Sequence, residues 1–275
     1  MAKNNTANIV GTAGTPPTGL ITYLTAGAYL DSEGAPRDGR RSVTIEPFTS
    51  ATIVDSLKGL FVPQEAIGEQ YRKGLMGRDS AGMNWKMDQN VVSHTFGSFA
   101  GSATVNTTTA TGFLTSGWAS SSTITLTLTS GVSLNQGDTF TIAGVYAVNP
   151  QNRQAYGSNK LRNFVVNTAV SGSGGTISVN VSPAIITAGQ FQNVSIPSTS
   201  STAAVSFFNQ SGTVSPQNII MHRNAFTLAV ADLELPEGVH FAGRASDKEI
   251  GLSMRVVRQY TINECANDQS FALVA

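Results

Sequence analysis

Apolar and polar residues alternate with a period of two through the centre of the chain. The apolar positions, most of them flanked by Thr, Ser or Asn, are Ile124, Leu126, Leu128, Phe140, Ile142, Ile177, Val179, Val181, Val205 and Phe207. Clusters of Gly and Asn separate these runs at intervals of about ten residues, which is typical of an antiparallel barrel or sandwich. We therefore predict an all-β module at residues 113–212.

A helical period precedes this module. A short strand is predicted at residues 42–46, and Thr49 or Ser50 can then cap a helix. The helix carries one apolar stripe, formed by Ile53, Leu57 and Leu60 or Phe61. A second short helix is predicted from Pro63, which suits a first helical turn, to Gly74, which can end it.

Mixed patterns stand on both sides of the β module. Strands are predicted after it at residues 218–221, 225–233 and 250–262. Because segments with both helical and strand-like patterns lie on either side of an all-β centre, we predict that this centre is inserted into a domain formed by its flanks. The expected fold class is α+β, with a discontinuous α/β domain formed by residues 23–112 and 213–275, and an inserted antiparallel β-barrel or sandwich. Residues 1–22, with several Gly and Pro, are predicted to be a flexible N-terminal segment.

Composition and charge exclude several classes of function. Of the 275 residues, 40% are hydrophobic and only 12% charged, and 17 Lys and Arg balance 17 Asp and Glu. A chain without net charge has no field that attracts nucleic acid or an anionic membrane. The single cysteine, Cys265, cannot close an intrachain disulfide. We find no signal peptide and no apolar run of the roughly 18 residues that a membrane span requires.

The spacings that common reactions require are missing. The sequence has no phosphate-binding P-loop, no nucleophile elbow and no H-E-x-x-H zinc motif. The histidines, His94, His222 and His240, are isolated in the sequence, and we predict that His222 is a partly exposed strand residue rather than a base. The acidic residues at 31–38 lack the pattern of a calcium loop. We therefore predict a protein that is not an enzyme, with no catalytic, cofactor-binding or metal-binding residues.

The densest positive cluster contains Arg37, Arg40 and Arg41, with Asp38 between them. A solvated loop would explain this cluster. The alternative is a contact between subunits, because the guanidinium group suits interface ion pairs. The residues alone leave both interpretations open.

Four groups of segments resemble a known family. They are IVDSLKGLF (53–61) with EQYRKG (69–74) and MGR (76–78), GDTFTIAGV (137–145) with NP (149–150), PQN (216–218) with HRNAFTLA (222–229) and DLELP (232–236), and RVVRQY (255–260). They are similar to coat proteins of short-tailed bacteriophages, which carry a telokin-like β domain inserted into the tailed-phage capsid fold. The resemblance covers residues 23–263.

The resemblance implies a structural subunit of a phage head. Such a subunit assembles with its own copies into capsomers and an icosahedral shell that encloses the genome. Scaffolding and portal proteins are implied as partners, packaged DNA only as a non-specific one, and the virion as the location after assembly in the host cytoplasm. The loop at 149–159 is similar to one that faces neighbouring parts of the shell. The candidate subunit contacts are therefore Arg37, Arg40, Arg41, Asn149, Asn152 and Arg153.

The sequence departs from this family in three places. Only residues 1–22 precede the similar part, so we expect the family's N-terminal arm and spine-helix region to be missing. The family has a charged loop that bridges capsomers where residues 97–122 carry no charge, and that role is not carried over. Residues 264–275 do not match the family's closing segment.

A second class of function stays open. The β module alone would suit a virion decoration or tail-associated protein that binds a host glycan or another virion protein. The predicted helices and the flanking strands favour the coat subunit, because a simple binding module does not require them.

Overall fold

The computed structural model describes residues 2–57, 81–106, 112–157, 159–197, 202–227, 231, 233–247, 252–261 and 266–274. Its helices are α1 (Ala2–Asn5), α2 (Leu20–Ser32) and α3 (Pro47–Leu57), and a 3-10 turn covers Arg223–Ala225. Its strands are β1 (Arg41–Ile45), β2 (Asn84–Met87), β3 (Ser93–Thr95), β4 (Ser98–Phe99), β5 (Ala103–Val105), β6 (Phe113–Leu114), β7 (Ser122–Leu128), β8 (Val132–Leu134), β9 (Thr139–Ala147), β10 (Leu161–Val166), β11 (Val170–Gly172), β12 (Gly175–Ser182), β13 (Ile185–Ile186), β14 (Val194–Ser195), β15 (Ala203–Phe207), β16 (Val214–Pro216), β17 (Ile219–His222), β18 (Phe241–Asp247), β19 (Leu252–Thr261) and β20 (Ala266–Val274). The described fold is predominantly β. The chain divides into two units, Met1–Arg223 and Asn224–Ala275, and each is described by itself.

Six antiparallel strands of the first unit close into a barrel. Their order is β10-β12-β7-β5-β15-β9, and β9 pairs in turn with β10. Closure removes the free edges on which other chains could add strands. The prediction of an antiparallel barrel is confirmed. Its boundaries at 113–212 stay a prediction, and β5, which lies before them, belongs to the same sheet.

The alternation in the sequence becomes the inside and the outside of the barrel. Along β7 every second residue from Ser122 is buried, and the residues between them are exposed. The ring centroid of Phe140 lies 5.9 Å from that of Phe164 and 5.6 Å from that of Phe207. Aromatic pairs at such distances stabilise a core beyond the area they bury.

The uncharged stretch around residues 97–123 forms short strands where it is described, namely β4, β5, β6 and the start of β7. Two of its glycines lie where other backbone segments approach too closely for a side chain. A Cβ on Gly97 would lie 2.0 Å from the carbonyl oxygen of Ser133, and one on Gly112 would lie 2.3 Å from that of Thr123. Backbone segments can pass this closely only where no side chain intervenes.

A second, smaller core lies in the same unit. It contains Tyr23 of α2, Val43 and Ile45 of β1, Ile53 of α3, Met83 and Trp85. In its three-stranded sheet, β1 lies between β2, which is parallel to it, and β17, which is antiparallel. Strand β17 follows the barrel in the sequence, whereas β1 and β2 precede it, so this core is built from both flanks of the barrel.

The two helices of this core differ in how well the pattern predicts them. Helix α3 (Pro47–Leu57) agrees with the predicted first helix, and the predicted second helix lies outside the described residues. Helix α2 was not predicted, and it begins within the segment expected to be flexible. Its thirteen residues include Thr and Gly, which are poor helix formers, and only Tyr23 is buried, so no apolar stripe marks it.

The unit Asn224–Ala275 contains an antiparallel sheet in the order β18-β19-β20. Strand β19 (Leu252–Thr261) confirms the long strand predicted at 250–262. The prediction of a strand at 225–233 is wrong for the described residues. The 3-10 turn reaches Ala225, and the described residues after it are irregular. Alternating apolar residues without pairing partners do not make a strand.

Truncation inside the barrel tests its packing. Leu126 is fully buried in β7, whereas the neighbouring Thr127 faces solvent. We expect Leu126→Ala to lower the free energy of unfolding by about 2–5 kcal/mol, because it leaves a cavity. The matched variant Thr127→Ala should change it by less than about 1 kcal/mol. Urea denaturation measures both, and equal effects would contradict the inside–outside assignment.

Candidate subunit-contact site

The loop between α2 and β1, together with the first residue of β1, carries the three arginines of the predicted contact group. Arg41 is the first residue of β1, and its side chain is only 5% exposed. Its guanidinium donates to the carbonyl oxygens of Pro36 at 3.0 Å and Ala35 at 2.5 Å, and pairs with Asp31 at 2.7 Å. Arg41 therefore holds this loop against the end of α2 from inside the subunit.

Asp31 is bound by a second arginine from the outside. The Nε of Arg37 donates to Asp31 Oδ1 at 2.8 Å, Nη2 bonds Oδ2, and the Arg37 side chain is 76% exposed. The hydrogen bonds from Arg37, joined by those from Arg41 and opposed by partial burial, lower the pKa of Asp31 to about 2. Asp31 is thus a carboxylate under ordinary conditions, and the loop depends on its charge.

Removal of this charge should cost stability in a pH-dependent way. We expect Asp31→Asn to lower the free energy of unfolding by about 1–2 kcal/mol at pH 7. This is less than the lowered pKa alone would give, because solvent screens a partly exposed ion pair. Because the folded-state pKa is depressed, this contribution is present above about pH 4 and is lost as the pH falls toward about 2. Urea titrations across that range measure it. Asp88→Asn, an exposed carboxylate bonded to Asn90, is the control, and a pH-independent loss for Asp31→Asn would contradict the assignment.

Asp38, in the same loop, pairs with a histidine from the other flank of the barrel. His222 Nε2 lies 3.0 Å from Asp38 Oδ1, and Arg40 Nε lies 3.8 Å from Asp38 Oδ2. Desolvation raises the pKa of Asp38, but the hydrogen bonds from His222 and from the backbone N–H of Arg40 outweigh it and lower that pKa. The predictions that His222 is isolated and partly exposed are wrong, since it is 7% exposed and paired. No spacing in the sequence links residues 184 positions apart.

The loop that follows β9 is shaped by its asparagines. Asn149 Oδ1 accepts a hydrogen bond from the N–H of Gln151, and Asn152 Oδ1 accepts one from the N–H of Gln154, both at 2.9 Å. Asn side chains commonly stabilise turns in this way. Arg153 is exposed and has a left-handed backbone with φ of 59°. The two amides therefore fix the loop, and Arg153 is its outward-facing charge.

A buried hydrogen-bonded pair next to the start of β9 also escaped the sequence analysis. His94 Nε2 lies 2.9 Å from Asp138 Oδ1, and their side chains are 4% and 3% exposed. Asp138 Oδ2 accepts hydrogen bonds from the N–H groups of Gly97 at 3.0 Å and Asn135 at 2.7 Å. Two segments of chain, residues 94–97 and 135–138, therefore meet at one carboxylate, and its hydrogen bonds hold them together.

Loss of the Asp138 carboxylate should be costly. Asp138→Ala would leave His94 and two backbone N–H groups buried without their partner, and we expect a loss of about 3–5 kcal/mol in unfolding free energy. Asp138→Asn, which retains one acceptor oxygen, should lose less. Thermal and urea unfolding compare the two, and a loss below about 1 kcal/mol for Asp138→Ala would contradict this role.

The six predicted contact residues thus fall into two groups. Arg41 is buried, and Asn149 and Asn152 stabilise their own loop, whereas Arg37, Arg40 and Arg153 present exposed charge. Among the described residues no three His, Cys, Asp or Glu side chains cluster in a way that could hold a metal ion. In the part of the chain that the structure describes, each helix is too short or too polar to cross a bilayer.

The first unit thus combines a closed barrel with a second core built from both flanks of the barrel, and polar side chains brace its loops. The family described as P22 coat protein, gene protein 5, matches residues 22–274, and the chain belongs to that family. It is a tailed-phage major capsid protein of the short-tailed type. No curated protein matches the chain.

Proposed function

We propose that this chain is the self-assembling subunit of a bacteriophage head. Its copies form capsomers and an icosahedral shell that encloses the genome. The observation that carries this proposal is the family match, which spans both cores and the C-terminal sheet. Scaffolding and portal proteins are the proposed partners, packaged DNA is contacted without specificity, and assembly takes place in the host cytoplasm.

We also propose the tailed-phage capsid fold for this subunit. Residues 23–112 and 213–275 would form its discontinuous α/β domain and residues 113–212 its inserted domain. The pairing of β17 with β1 supports this division, because Arg41 and His222 are partners in the same sheet although the barrel separates them in the sequence. A split domain of this kind arises when a folded module is inserted between two strands of an older sheet.

The exposed arginines are the proposed contacts between copies. Arg37, Arg40 and Arg153 can pair with carboxylates of a neighbouring subunit, whereas Arg41 stabilises the loop that presents two of them. Each such surface pair contributes about 0–1 kcal/mol alone. In a shell the contact is repeated by symmetry, so weak pairs act together.

Assembly of the purified protein tests this function. We expect sedimentation and negative-stain microscopy, with and without a scaffolding protein, to show shells or capsomer rings. Arg40→Glu combined with Arg153→Glu should lower the assembled fraction by about fivefold or more, since like charges replace attraction at each repeated contact. Arg40→Lys with Arg153→Lys keeps the charge and serves as the control.

Two outcomes would contradict the coat-subunit function or the arginine contacts. Monomers under all conditions that bind a glycan or another virion protein would favour the decoration or tail-associated alternative. Shells that form equally well with the charge-reversed variant would remove Arg40 and Arg153 from the contact.

A further inference from the structure

Two side chains of the loop between β9 and β10 and one of β10 meet the C-terminal end of α2. The hydroxyl of Tyr156 donates to the carbonyl oxygen of Ser32 at 2.6 Å, and Lys160 Nζ donates to Ser32 Oγ at 3.2 Å. Arg162 Nη1 pairs with Glu33 Oε1 at 2.6 Å. These contacts join residues about 125 positions apart, so they connect the barrel to the smaller core.

Lys160 makes an additional contact with the helix. Its ammonium group lies 3.5 Å from the centroid of the Tyr29 ring, a cation–π distance. Burial lowers the pKa of Lys160, which shows that this charge is held partly out of water.

The end of a helix is a suitable place for these donors. The last carbonyl groups of a helix lack partners within it, and the helix dipole makes this end negative. Tyr156 satisfies the carbonyl of Ser32, while Lys160 and Arg162 bring positive charge to the same end. The contact is therefore complementary in both hydrogen bonding and charge.

Both sides of this contact are firmly held. The N–H of Ala147 in β9 donates to the carbonyl of Lys160 at 2.8 Å, and the N–H of Asn159 donates to that of Tyr156 at 2.9 Å. On the other side, Tyr23 anchors α2 in the smaller core, where its ring centroid lies 4.9 Å from that of Trp85. A displacement of the barrel would thus be transmitted to the helix.

The covalent connections between the two cores are slender by comparison. The chain enters the barrel near β3 and leaves it through β16, and these two strands pair with each other over three residues. A two-stranded ribbon alone is marginally stable and permits twisting. The N-terminal segment adds two side-chain hydrogen bonds on this side, from Asn4 Nδ2 to Gln136 Oε1 and from Asn163 Nδ2 to Asn8 Oδ1, both at 3.2 Å. The ribbon and these two contacts restrain the barrel only weakly unless a further attachment holds it.

We propose that Tyr156, Lys160 and Arg162, bound to Tyr29, Ser32 and Glu33, form a clamp that sets the orientation of the barrel on the smaller core, and that this orientation is required for copies of the chain to assemble. The clamp residues are positioning residues for assembly, an inference that rests on the proposed function. Loosening the clamp leaves both cores folded and lowers the yield of shells.

Hydrogen exchange and assembly of a clamp variant test this proposal. Tyr156→Phe combined with Lys160→Met removes both donors and keeps the bulk. We expect amides at the end of α2, such as those of Glu33 and Ala35, to exchange at least about fivefold faster, the change that follows loss of one hydrogen bond. Amides of β7 and β12 should keep their wild-type rates, and the assembled fraction should fall about fivefold.

Two further variants separate the clamp from unspecific effects. Lys86→Met removes an exposed lysine of β2 and should leave exchange and assembly unchanged. Glu33→Arg combined with Arg162→Glu reverses one ion pair, and it should recover much of the assembly that Arg162→Glu alone loses. If the double variant Tyr156→Phe with Lys160→Met unfolds the barrel, the ion-pair reversal decides the question.

Each remaining outcome is decisive. Unchanged exchange at the end of α2 would show that the contacts do not hold the helix. Faster exchange with normal shells would show that the clamp does not position the barrel for assembly. If the wild-type chain forms no shells, the proposed function and the assembly role of the clamp both fail, while the exchange data still determine whether the clamp holds the helix.

Discussion

The pairing of β9 with β10 is the interaction on which the structure depends, because it closes the barrel. Phe140 is opposite Phe164 and Thr139 is opposite Val165 in this pairing. On its other side, β9 pairs first with β15 and then with β14, so this one strand of nine residues has three neighbours. Without the β9–β10 pair, two strands would present unpaired edges, and the buried side chains of the barrel would meet water.

Close approach of other segments to the barrel strands also explains part of the unusual composition of the central region. Such crossings leave room only for small residues, as at Gly112, where a Cβ would meet the carbonyl oxygen of Thr123 in β7. Threonine suits the outward positions, because its branched side chain favours strands and its hydroxyl tolerates water. The buried carboxyl group of Asp138, next to the start of β9, is surrounded by His94 and by the N–H groups of Gly97 and Asn135. A barrel braced in this way can keep its own shape although it is attached to the second core at only a few points.

The sequence predicted the parts of this architecture that repeat locally. Alternation at Ile124, Leu126 and Leu128 indicated β7, and the stripe that includes Ile53 indicated α3. It did not predict α2, because this helix contains Gly and Thr, which are poor helix formers, and buries only Tyr23. Nor could it pair Asp38 with His222 or His94 with Asp138, because long-range pairs leave no periodic signal. The candidate contacts were predicted as polar residues in loops, and only the folded structure distinguishes the buried Arg41 from the exposed Arg40.

Native-state hydrogen exchange of the barrel amides tests barrel closure most directly. If β9 and β10 close the barrel, the amides of Phe164 and Ile142, which face the partner strand, should share the slow rate of those in β7 and β12, since all open only when the barrel unfolds. If β10 is in reality a free edge, its amides should exchange through local opening, many times faster than those of β7. That result would contradict the closed barrel on which this account of the structure rests.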